Sequence, residues 1–95
     1  MRIGRKRFYT HIDVFYKVLR TFGLRDEKLG EKDTDPFPLG YGEIYKGDKK
    51  VGEYEELTLE VVVFKIDDDE LARKIRSYLL DIAEQYLRSL PRFEL

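Results

Sequence analysis

A chain of 95 residues, 42% hydrophobic and 39% charged with a net charge of −1, fits one small domain, residues 1–95, with a thin core. Its seven tyrosines and six phenylalanines, interleaved with β-branched residues, exclude disorder for the chain as a whole, and the absence of cysteine excludes disulfides, thiolate nucleophiles and zinc–thiolate sites. Apolar runs are far shorter than the roughly 20 residues of a membrane span and the N-terminus has no apolar leader, so a cytoplasmic protein with no membrane partner is expected.

Asparagine is missing, glutamine occurs once, and lysine, arginine and glutamate abound, the profile of a thermophile, cellular or viral. Charge is unevenly spread, at +6 over residues 1–25, −9 over 26–70 and +2 over 71–95. Such a dipolar monomer can pair head to tail.

In chain order, residues 2–9 form either a short edge strand or a loose basic arm. Thr10 with Asp13 has the spacing of a capping box, and Tyr9 with Val14 that of a hydrophobic staple, so a helix is predicted from near Thr10. Ile12, Phe15, Leu19 and Phe22, widened by Tyr16 and Val18, make its apolar face, and Gly23 ends it. Residues 24–40, rich in charge and broken by Gly30, Pro36 and Pro38, read as a long loop whose far end Phe37 and Leu39 pin to the core.

A hairpin follows. Residues 41–46 alternate, residues 47–50 turn, and residues 51–66 form one long return strand. Leu57, Leu59, Val61 and Val63 read as its inward face, and the parity of Tyr54 predicts a bulge at Glu55 and Glu56. Because residues 41–46 pair with only half of that strand, residues 58–66 need another neighbour, either residues 2–9 or a second subunit.

The closing helix is predicted from about Asp68 to Leu90, with Asp67 as N-cap, Glu70 completing a capping box and Pro91 as the stop. Leu71, Ile75, Tyr78, Leu79, Ile82, Tyr86 and Leu90 form its core stripe. The expected fold is therefore a small two-layer α+β domain: a helix, an antiparallel hairpin with one long bulged strand, and a C-terminal amphipathic helix packed on the sheet.

Candidate sites are few. The acidic run Asp67, Asp68, Asp69 and Glu70 lacks the spacing and glycine of a calcium loop and reads as helix capping rather than a metal site. His11, the single histidine, has no serine or cysteine near it to activate. Gly40, Gly42, Gly47 and Gly52 are turn and strand glycines without a phosphate-loop lysine, and Tyr41, Tyr45 and Tyr54 suggest cross-strand pairing. No catalytic residue, metal ligand or cofactor is assigned.

Two binding readings emerge. Leu80, Ala83 and Leu87 form a second apolar stripe on the closing helix and Val62, Phe64 and Ile66 line the outer face of the long strand, so all six are expected at an interface with a second copy or a protein partner. This makes a noncatalytic assembly module the leading function. The alternative is a nucleic-acid-binding accessory protein using Arg5, Lys6, Arg7, Phe8, Tyr9, Lys17 and Arg20, where positive charge meets aromatic faces.

Overall fold

The computed structural model describes residues 1–33 and 37–89. Within them the strands are β1 (Arg2–Ile3), β2 (Arg7–His11), β3 (Arg25–Lys32), β4 (Leu39–Lys46), β5 (Lys49–Glu56) and β6 (Val61–Ile66). The helices are α1 (Ile12–Phe22) and α2 (Asp69–Ser89). The six strands form one antiparallel sheet in the order β1-β2-β6-β5-β4-β3, and both helices pack on it, giving the α+β architecture expected.

The N-terminal segment is strand, not arm. Arg7 to His11 pair with Lys65 to Val61, so the neighbour that the second half of the hairpin requires comes from the same chain. In β2, Phe8 and Thr10 face the helices, while Arg7, Tyr9 and His11 face the opposite, open side of the sheet. Thr10 is therefore a buried strand residue and caps nothing. His11 takes that role, its Nδ1 accepting from the Asp13 amide at 3.1 Å, and with the N-cap moved one residue on, Tyr9 and Val14 form no staple. Gly23 does end α1, in the left-handed conformation at φ 65°, and the Leu24 amide donates back to the Leu19 carbonyl.

The predicted loop at 24–40 is largely β3, an edge strand against β4 from Arg25 to Lys32. Its sequence carries one large apolar residue, Leu29, sitting at a bulge, and its charges pair locally as Arg25–Glu27 and Lys28–Glu31 and across the sheet as Lys32–Glu55. Charges and a bulge on an exposed edge are what keep it from recruiting further strands, and they also hide it from a hydrophobic pattern. Phe37 is half exposed rather than buried in the core, and Pro36 lies outside the described residues.

The long return strand is two strands. Leu57 donates to the Val61 carbonyl, and the Thr58 hydroxyl accepts from the Glu60 and Val61 amides, folding a turn that contains neither glycine nor proline. This reverses the predicted facing: Leu57 and Leu59 are exposed, whereas Val62, Phe64 and Ile66 are buried. Glu55 and Glu56 sit in regular register, and the bulge falls instead at Val51, between the pairs Tyr45–Lys50 and Ile44–Gly52.

The core is aromatic at its centre. The Phe64 ring lies 5.1 Å from both Phe8 and Phe15, and Phe15 lies 5.3 Å from Tyr54, with Val18, Ile44, Ile66, Ile75 and Leu79 closing round them. Gly42 makes room for this arrangement. A Cβ there would stand 2.1 Å from the Glu27 carbonyl and 2.8 Å from the Tyr54 ring, which lies across the glycine. On the other face Tyr41 covers Gly30 in the same manner.

Helix α2 starts one residue later than predicted, with the Asp68 carboxylate accepting from the Leu71 amide at 3.0 Å. Leu71, Ala72, Ile75 and Leu79 are buried, Tyr78 meets Phe22 edge-on at 5.7 Å, and Ile82 and Ala83 are half-buried. From Glu84 to Leu87 every side chain is exposed, including Tyr86 of the predicted core stripe at 64%. Leu90 and Pro91 lie outside the described residues.

Candidate functional site

The polar clusters resolve into local structural roles. Asp67 lies 3.7 Å from Lys65, Asp68 caps α2, Asp69 pairs with Lys6 at 2.8 Å and Glu70 lies 3.7 Å from Lys74. The four carboxylates thus point to four different partners, and among the described residues no three metal-ligating side chains converge. His11 is exposed, 3.6 Å from Asp13 at the mouth of its own helix.

The tyrosines of the hairpin divide between the faces. Tyr41 and Tyr45 lie on the open side, where the Arg25 guanidinium stacks 4.5 Å from the Tyr45 ring centre. Tyr54 lies under the helices, where burial first, and then the Asp26 carboxylate, pushes its phenol up to about 12. Tyr16 is raised by the same causes, with Glu56 adding to them. Both phenols are held protonated, the opposite of what an activated tyrosine nucleophile needs.

The proposed nucleic-acid residues do not share a surface. Phe8 is wholly buried in the core and offers no face for stacking. Arg7 and Tyr9 lie on the open side of the sheet, beside Lys65 and Val63. Lys17 and Arg20 lie on the exposed side of α1, in the helical layer. Arg5 and Lys6 occupy the β1–β2 turn, where they meet α2.

That turn is tightly built. The Gly4 amide donates to the Arg7 carbonyl at 3.0 Å, and a Cβ on Gly4 would stand 2.6 Å from the same oxygen. The Lys6 carbonyl accepts from Ile66, tying the turn to β6. Held there, Arg5 and Lys6 form one wall of a cleft of about 830 Å³ whose other wall is α2, with Asp69, Glu70, Arg73 and Arg76. Arg76 donates through Nη1 to the Arg5 carbonyl at 3.4 Å, and the Lys6 ammonium holds the Asp69 carboxyl below its ordinary range. Arg73 and Arg76 escape sequence inspection because 67 or more positions separate them from Lys6; only the docking of α2 on the β1–β2 turn brings them together.

The interface residues divide as well. Val62, Phe64 and Ile66, at 1% exposure or less, belong to the core and cannot meet a partner. Leu80 at 53% and Leu87 at 67% are open, with Ala83 half-buried beside them. Among the described residues no helix is long and apolar enough to cross a membrane. Comparison of the chain with protein-family models, curated proteins and solved structures returns no match.

Proposed function

We propose that this protein is a noncatalytic assembly module that forms a homodimer through the C-terminal half of α2. The observation that supports this reading is the continuation of the α2 core stripe beyond the body of the domain: Ile82 is half-buried and Tyr86 is 64% exposed, while Leu80 and Leu87 open beside them. At about 1.5 Å per residue, the segment from Leu80 to Ser89 is some 15 Å of helix on which Leu80, Ile82, Ala83, Tyr86 and Leu87 make one wide apolar face, with Asp81, Glu84 and Gln85 on the other side. An apolar face that its own domain leaves uncovered is suited to a partner.

A second copy fits that segment because a two-fold contact needs only one self-complementary stripe. Arg73, Ser77, Leu80, Glu84 and Leu87 share one exposed stripe at helical spacing. An antiparallel crossing centred on Leu80 sets Leu80 against its own counterpart, with Ser77 against Ala83 of the second copy. Growth along the sheet is the weaker route, because β1 has two residues and β3 is charged and bulged. The ion-pair cluster in which Lys50 joins Glu43 and Glu53, both at 2.8 Å, accords with a thermophile's protein, and the absence of cysteine with a cytoplasmic one.

Light scattering after size exclusion tests the dimer. The expected mass is twice 11.4 kDa, and Leu80→Lys with Leu87→Lys should halve it without changing the circular dichroism spectrum. A wild-type monomer at about 0.5 mM protein, where even a weak specific dimer is populated, would overturn the proposal.

A further inference from the structure

We infer that the cleft between the β1–β2 turn and α2 binds the phosphate backbone of a single-stranded nucleic acid. Four cationic side chains converge on it, Arg5 and Lys6 from the turn and Arg73 and Arg76 from the helix, against two carboxylates. Those carboxylates are engaged, Asp69 with Lys6 and Glu70 beside Lys74. Arg5 and Arg73 form no direct ion pair with any described residue, and Arg5 acts on Asp69 only from a distance, so their guanidinium groups are open to a ligand.

The backbone that presents these cations is fixed. Gly4 sets the turn, the Lys6 carbonyl anchors it to β6, and Arg76 is held against the Arg5 carbonyl, which joins the turn to α2. Guanidinium groups are suited to bidentate contact with phosphate oxygens. The volume of about 830 Å³ exceeds what one phosphate fills. Beyond the turn, the open face adds Arg7 and Arg2, the latter 5.9 Å from the Tyr9 ring centre, before it meets Glu53 and Glu55 beside Lys65. The arginines at positions 73, 5, 7 and 2, leading from the cleft to the half-buried Tyr9, suit a chain of phosphates carrying bases, and a single small anion would use only the cleft.

The test uses the full chain and a fluorescently labelled 20-nucleotide oligo(dT) or oligo(U), followed by anisotropy at about 50 mM salt and upward. Binding should weaken steeply with salt. Arg5→Glu and Arg73→Glu should each cost about tenfold in affinity and lower the salt slope by about one, whereas Lys17→Glu and Arg20→Glu on α1, which make the same charge change away from the cleft, should stay within about threefold of wild type. No binding at about 50 mM salt overturns the inference, and so does an equal loss in all four variants, which would mean diffuse attraction. Inorganic tripolyphosphate that displaces the oligonucleotide at equimolar concentration would replace the strand by a small anion and overturn it too. Arg5 lies outside α2, so light scattering on Arg5→Glu keeps failure of this inference distinct from failure of the dimer.

Discussion

Replacing Thr10 by valine should make this protein more stable. Thr10 is 2% exposed on the core side of β2, opposite Val62, and its hydroxyl has no hydrogen-bond partner among the described residues. A buried hydroxyl without a partner costs about 1–3 kcal/mol of desolvation, and a methyl group in its place gains roughly 0.8 kcal/mol of apolar burial. Valine keeps the β-branch that suits a strand, so little packing is disturbed. With part of the gain lost to imperfect fit, the net expectation is about 1–2 kcal/mol, or roughly 5–10 °C in midpoint for a domain of this size. Equilibrium unfolding in guanidinium chloride at one protein concentration, with Thr10→Ser and Thr10→Ala as controls, measures it. Both controls should destabilise, serine by loss of the methyl and alanine by leaving a cavity. A Thr10→Val protein that is less stable than wild type would show that the hydroxyl is satisfied after all, and the argument from its isolation would be wrong.

Gly42→Ala should destabilise by about 3 kcal/mol, because its Cβ meets the Glu27 carbonyl and the Tyr54 ring, both fixed in the sheet. Gly47→Ala, where the turn at φ 62° is surrounded by open space, should cost only about 1 kcal/mol, and chemical denaturation of the pair would rank them. The Asp68 carboxyl is lowered first by the Leu71 amide, so its folded value lies below its unfolded value. Its contribution is therefore complete above the unfolded carboxylate range and disappears as pH falls through the folded value. Stability curves of wild type and Asp68→Ala should accordingly converge in acid and separate towards neutrality; parallel curves would refute the capping role.

Function was less legible than fold because binding surfaces are assembled from separated segments. Leu80, Ala83 and Leu87 could be read as a surplus stripe, since a helix imposes its period on neighbours in sequence. Val62, Phe64 and Ile66 look the same in sequence as an outer face, and only the covering layer shows that they are core. Likewise Arg5 and Lys6 were visible as a basic run, but their grouping with Arg73 and Arg76, and their separation from Lys17 and Arg20, depend on where α2 crosses the β1–β2 turn.

Local physics in the sequence determined α1 and its left-handed stop at Gly23, the β4–β5 hairpin turning at Gly47, and α2 to within a residue at its start. Each rests on contacts between residues a few positions apart. Tertiary structure alone decided that the basic N-terminus is strand β2, that charged residues 25–32 form an edge strand, and that residues 51–66 break at Thr58. In these cases a pairing partner supplies hydrogen bonds that local preference does not demand, and a hydroxyl-capped turn leaves no glycine or proline as its mark. The facing of β6 followed from that same turn, because a side chain's outlook in a strand has a period of two and one misplaced reversal inverts it.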